Sequence, residues 1–230
     1  LSDFRGYVSS PPRVVKQVIN AIEPHTYFDR RWNTIRSPWL DAFGVRYRLT
    51  DQQPRNLDDF SRVDLDGCTL YRSETAFRDA WLVVSARRME SIDQMVREVV
   101  SGKVDLATTV YLDDPESLTA GLPDKLNNHS MRFLTRTRHL REILVTLDTP
   151  AILVMNDQMY PGWEADIDGE PAGLFTADGL FRALRLEPGA NHVRLRYRPL
   201  TALLGLFGLC LAGLLGGFAL GGALRRKATP

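Results

Sequence analysis

The sequence predicts an α+β N-terminal part, then an all-β sandwich, and one transmembrane α-helix at the end. A capped helical pattern lies between strand-like runs in residues 68–112, six short strand-like runs follow residue 130, and residues 200–224 contain no charged side chain. Short apolar or alternating runs are typical of strands, and a long uncharged run is typical of a membrane span. The predicted boundaries are 1–112 for the α+β subdomain, 113–130 for a linker, 131–198 for the β-sandwich, 200–224 for the transmembrane helix and 225–230 for a tail.

The α+β subdomain is predicted from one helix and the strands around it. Ser91 and Gln94 have the spacing of a capping box, and Gly102 follows an apolar stripe at helical spacing. The runs "AWLVVSA" and "VDLATTVYL" on either side are strand-like. Residues 113–130 are rich in turn formers, which predicts a linker.

The sandwich is predicted from short runs separated by turn dipeptides. "WEADID" and "EPAGLF" are joined by Asp168-Gly169, a dipeptide that favours a type I′ hairpin. The stretch Tyr160-Pro161-Gly162-Trp163 precedes this hairpin, and Pro161 and Gly162 predict a turn before the strand. We interpret the stretch as a sheet corner with Trp163 facing inward. A sugar-stacking platform is the alternative.

Three carboxylates alternate along the same strand. Glu164, Asp166 and Asp168 could contribute oxygen ligands to calcium. However, side chains on one face of a strand are spread along a straight line, whereas calcium loops draw ligands from a curved backbone. Pairing with Arg194 and Arg196 on a neighbouring strand is therefore the preferred interpretation.

Residues 200–224 are long enough for a helix that crosses a bilayer core, with a buried core helix as the alternative. Arg225, Arg226 and Lys227 follow directly and predict a cytoplasmic tail, with residues 1–198 extracytoplasmic. The expected partners of the helix are the lipid bilayer and other transmembrane helices of the same polypeptide. Small residues predict close packing with those helices: Gly208, Ala212, Gly213, Gly216, Gly217 and Gly221.

Composition and motifs exclude several functions. The net charge is +1, and residues 1–224 carry −2 once the three basic tail residues are set aside, so a nucleic-acid partner is not expected. Cys68 and Cys210 are too few for a zinc site or a disulfide framework. The sequence contains no HExxH, GxSxG, P-loop, GxGxxG or CxxC motif. We therefore expect no catalytic residue, metal or cofactor in this chain, which begins at Leu1 and is expected to be a piece of a longer protein.

Four stretches in order carry a resemblance to a known family. They are "DFRGY" at 3–7, "LDAFGVRYRLT" at 40–50, "AFRDAWLV" at 76–83 and "MYPGWEADIDGEPAGLFTADGLFRALRLEPGANHVRLRYRP" at 159–199. Together they resemble the C-terminal extracytoplasmic region and last span of bacterial YfhO-like membrane proteins. The resemblance implies a multi-span parent of the GT-C glycosyltransferase type, which transfers a sugar from a polyprenyl-phosphate carrier to a cell-envelope glycan, with its catalytic residues upstream of Leu1.

The expected function is therefore that of a non-catalytic extracytoplasmic domain of such a parent. Tyr160, Phe175 and Phe181 are the predicted glycan contacts, because aromatic rings near hairpins can stack on sugars. Two alternatives remain open. The chain could be an anchored glycan-binding module without an enzymatic parent, or a purely structural domain.

Overall fold

The computed structural model of the chain describes residues 38–50, 58–65 and 68–198, together with Gln17. The helices are α1 (Pro38–Ala42), α2 (Ile92–Val100) and α3 (Glu116–Thr119). The strands are β1 (Tyr47–Thr50), β2 (Phe60–Leu65), β3 (Cys68–Ser73), β4 (Ala80–Val83), β5 (Ser85–Arg88), β6 (Thr109–Leu112), β7 (His129–Arg136), β8 (Leu140–Leu147), β9 (Ala151–Met155), β10 (Trp163–Ile167), β11 (Glu170–Ala172), β12 (Phe175–Ala177), β13 (Phe181–Leu186) and β14 (Gly189–Tyr197).

The strands form three sheets. A five-stranded sheet has the order β11-β10-β14-β8-β7, and a six-stranded sheet has the order β4-β9-β13-β12-β6-β5. A smaller sheet has the order β1-β3-β2. The described pairs are antiparallel except β5 with β6, which are parallel. Strand β7 is an edge strand of the five-stranded sheet, and β4 is an edge strand of the six-stranded sheet.

The middle of the six-stranded sheet is covered on both faces. Strand β9 is buried along its whole length, so its run "AILVM" is apolar throughout instead of alternating. Leu153 packs into a core shared with β8 and β14, whereas Ile152 and Val154 pack into a second core with α2. Burying a side chain of this size contributes about 1.5–3 kcal/mol. The molecule therefore has a sheet-on-sheet core and a sheet-on-helix core, which meet at β9.

Helix α2 follows its sequence signals. The hydroxyl of Ser91 accepts the backbone N–H of Gln94 at 3.2 Å, and Gly102 adopts φ +73 just past the helix end. Met95 and Val99 are buried against the six-stranded sheet. This capped, amphipathic helix is confirmed.

The predicted fold class is wrong. The described part of the chain is mostly β, and β4, β5 and β6 from the predicted α+β subdomain join β9, β12 and β13 in one sheet. The sheet thus combines strands from before and after residues 113–130. Local patterns identified β4 and β6, whereas β5 was not predicted as a separate strand. Such patterns carry no information on which distant strand each one pairs with.

The transmembrane part of the predicted fold class has no counterpart among the described residues. Among the residues that the structure describes, no helix is long and apolar enough to cross a membrane. Residues 200–224, including the small residues predicted to pack against other helices, lie outside the described residues.

Candidate anion-binding groove

An open groove of about 980 Å³ lies between the start of β1, the segment before β4 and the edge strand β7. We call it the arginine groove. Its charged lining residues are Arg46, Arg78, Asp79, Arg132 and Arg136, and its aromatic lining residues are Tyr47, Phe77 and Phe133.

Backbone contacts hold the walls of the groove together. Gly44 adopts φ +70, and a Cβ there would lie 2.9 Å from Nδ2 of Asn156 and 3.3 Å from the carbonyl oxygen of Phe77. Only glycine fits this close approach without strain. The N–H of Phe77 donates to the carbonyl of Asp41 at 2.9 Å, and the N–H of Asn156 donates to the carbonyl of Asp79 at 3.2 Å. Main-chain bonds therefore set the position from which Arg78 and Asp79 enter the groove.

The charges in the groove are unbalanced. Among its lining residues, Asp79 is the only carboxylate beside four arginines, and it pairs with Arg136 at 2.6 Å. Arg46, Arg78 and Arg132 are exposed, and no carboxylate in the described part of the chain forms an ion pair with them. The groove therefore has an excess of positive charge that faces solvent.

These residue types suit one kind of ligand chemistry. A guanidinium presents several N–H donors in a plane and can bind a carboxylate or phosphate through two parallel hydrogen bonds. The ring of Tyr47 is 54% exposed beside them and offers an apolar face with a polar edge. The groove can therefore bind an oxyanion and contact the ring that carries it.

The three aromatic residues predicted to contact glycan do not form a common site. Tyr160 is 44% exposed, and its hydroxyl donates to Oε1 of Gln158. Phe175 is partly buried against the core that contains α2. Phe181 is 1% exposed and packs in the same core, which leaves its ring no surface for a glycan. None of the three lines the arginine groove.

The Tyr160-Pro161-Gly162-Trp163 stretch lies at a corner of the five-stranded sheet. Gly162 adopts φ +102, and its carbonyl accepts the N–H of Arg198 at 2.6 Å. The guanidinium of Arg182 lies 3.6 Å from the centroid of the Trp163 ring and covers one face of it. Burial lowers the pKa of Arg182 to about 10.

The hairpin after this corner has the expected backbone. Asp168 and Gly169 adopt φ +54 and φ +90 and connect β10 to β11. The predicted ion pairing across strands is confirmed for Asp166, which lies 3.1 Å from Arg196 and 4.0 Å from Arg194. Glu164 instead pairs with Arg198 at 3.5 Å, and Asp168 accepts the backbone N–H of His192 at 2.9 Å. Within the described residues, no group of His, Cys, Asp and Glu side chains is arranged to hold a metal ion.

Sequence reasoning missed the arginine groove because its members are far apart in the chain. Arg46 precedes β1, Arg78 precedes β4, and Arg132 and Arg136 lie on β7. Each looks like an ordinary solvated charge in its own segment. The alternation of Arg132, Leu134 and Arg136 was the one local signal, since it places three side chains on one face of a strand.

Comparison with known proteins finds no match that would identify the chain. The resemblance to YfhO-like glycosyltransferases therefore stays a prediction that rests on the quoted stretches alone. No protein-family model, no curated protein sequence and no solved structure matches the chain.

Proposed function

We propose that the β-rich part of this chain is a binding domain for an anionic glycan, held in the arginine groove. One observation supports this above all: Arg46, Arg78 and Arg132 surround an open groove without a carboxylate partner among the described residues. Exposed arginines on a folded surface are usually offset by nearby carboxylates. Three that converge without one are suited to an anion supplied by a ligand.

A glycan fits the groove better than a small inorganic anion. The groove is wide and open, and its lining alternates arginines with the rings of Tyr47, Phe77 and Phe133. Sugars that carry carboxylate or phosphate groups combine an oxyanion with a ring whose C–H face can pack on an aromatic side chain. The glycan-binding interpretation of the sequence is retained in this form, with different contact residues.

The activity of the longer parent protein is a separate proposal. The resemblance to YfhO-like proteins implies a parent that transfers a sugar from a polyprenyl-phosphate carrier, with this domain outside the cytoplasm. Neither the groove nor the comparisons bear on that parent activity. An anion-binding domain would suit such a setting, because it could guide an anionic acceptor glycan.

The groove is tested with a double variant of the full chain. Replacing Arg78 and Arg132 with glutamine should weaken binding of trigalacturonic acid at least about tenfold, because hydrogen bonds to charged groups contribute roughly 1.5–3 kcal/mol each. Isothermal titration at about 0.15 M salt measures the affinity. Both side chains are exposed, so the melting temperature should stay unchanged.

The matched control replaces Arg88 and Arg97 with glutamine. Both are exposed and lie outside the groove, so this variant has the same net charge as the first. It should keep the wild-type affinity to within about twofold. Arg88 lies on β5, at the opposite end of the six-stranded sheet from β4, and at about 0.15 M salt charges more than about 8 Å away are screened. Equal losses in the two variants, or no binding by the wild type, would contradict the proposal.

A further inference from the structure

Asp79 is the one acidic side chain in the lining of the arginine groove. Its Oδ2 lies 2.6 Å from Nη1 of Arg136, and both side chains are about half exposed. The pair is therefore in contact with water. Arg136 differs in this respect from the three other groove arginines, which have no such partner among the described residues.

Arg136 is held independently of this ion pair. Its guanidinium lies 4.0 Å from the centroid of the Phe133 ring, at a point where the pairing of β7 with β8 shifts register between Phe133 and Thr135. A cation over an aromatic ring is attracted by the ring face. Arg136 can therefore stay in the groove when Asp79 leaves it.

We propose that Asp79 is an internal counter-anion, which an anionic group of the ligand replaces at Arg136. This rests on the proposed function of the groove. A carboxylate or phosphate on the ligand can form the same contact with Arg136 that the Asp79 carboxylate forms. Exposed ion pairs add little to stability, so the side chain of Asp79 can turn out to solvent at small cost.

The consequence is that Asp79 reduces the gain in affinity that a second anionic group on the ligand provides. One anionic group can bind at Arg46, Arg78 and Arg132 while Asp79 stays on Arg136. A second group reaches Arg136 only by displacing Asp79, and until then the carboxylate repels it. A second anionic group therefore binds Arg136 only when it displaces the Asp79 carboxylate, which makes Asp79 a specificity-determining residue.

The experiment compares the affinity of the full chain for trigalacturonic acid in four proteins: wild type, Asp79→Asn, Arg136→Gln and the double variant. Asp79→Asn should bind two- to fivefold more tightly than wild type. In the Arg136→Gln background the same change should add less than half of that gain, because the contact for which Asp79 competes is gone. The gain should also be smaller for galacturonic acid, which has a single carboxylate.

Asp64→Asn is the control, because it removes the same charge from an exposed pair with Arg62 outside the groove. It should leave the affinity unchanged. An Asp79→Asn variant that binds no more tightly than wild type would overturn the inference, as would an equal gain with and without Arg136 or an equal gain for both ligands. Wild-type protein that binds neither ligand would instead contradict the proposed function itself.

Discussion

Replacing Asp178 with asparagine should remove a large pH dependence of stability between about pH 4 and pH 7. Asp178 is 1% exposed. Its Oδ1 accepts the N–H of Tyr111 at 2.8 Å, and its own N–H donates to the carbonyl of Tyr111 at 2.8 Å. Its Oδ2 is buried without a hydrogen-bond partner. Burial raises the pKa of Asp178 to about 7, and the bond from Tyr111 only partly opposes this.

The direction in which the free energy of unfolding changes with pH follows from proton binding. An unperturbed aspartate has a pKa of 3.8, so between about pH 4 and pH 7 the folded chain keeps a proton that the unfolded chain has lost. The free energy of unfolding therefore falls as the pH rises through this window, by at most about 4 kcal/mol. Glu98, which accepts the hydroxyl of Tyr111, has the opposite effect on stability and acts mainly below about pH 4.5, because hydrogen bonds from Lys103 and Tyr111 lower its pKa from 4.5 to about 2.

Asparagine suits position 178 for two reasons. It keeps the acceptor oxygen for Tyr111, and it tolerates the left-handed φ of +51 at this turn. Urea unfolding of wild type and Asp178→Asn at pH 5, 6, 7 and 8 measures the effect, with Asp148→Asn as an exposed control. The variant should be the more stable protein at pH 8. If both proteins lose stability equally between pH 5 and pH 8, Asp178 does not titrate in this window.

Replacing Arg182 with alanine should destabilise the fold by about 2–4 kcal/mol, because it removes one partner of a buried polar cluster. The guanidinium of Arg182 is almost fully buried between the Trp163 ring and the carbonyl of Gln158, to which it donates at 2.9 and 3.2 Å. It also lies 3.5 Å from Asp157. Alanine would leave that carbonyl unpaired and one face of Trp163 uncovered.

The loss should stay below that of a fully broken buried ion pair. Asp157 keeps Arg141, which donates to its two oxygens at 2.9 and 3.1 Å, so no carboxylate is left alone. Urea unfolding at pH 7 measures the loss. Arg138→Ala, an exposed control, should change the free energy of unfolding by no more than about 0.5 kcal/mol. A loss below about 1 kcal/mol for Arg182→Ala would mean that the cluster contributes little to stability.

The sequence by itself determined the local features of this protein. The Asp168-Gly169 hairpin and the Ser91 cap of α2 appear where the residues predict them. Both depend on backbone preferences and hydrogen bonds within a few residues, so the neighbouring sequence is sufficient to specify them. The continuous apolar run of β9 fits its burial along the whole strand, although its residues predicted only a strand there.

Only the tertiary structure decided which segments meet. Strands from before residue 113 and after residue 150 share one sheet, Phe181 is placed in a core, and Asp178 is buried beside Tyr111. The arginine groove likewise joins Arg46, Arg78 and Arg132 from three separate segments. The physical reason is that strand pairing and charge clustering depend on contacts between distant residues, and a local pattern is the same whichever partner a strand finds.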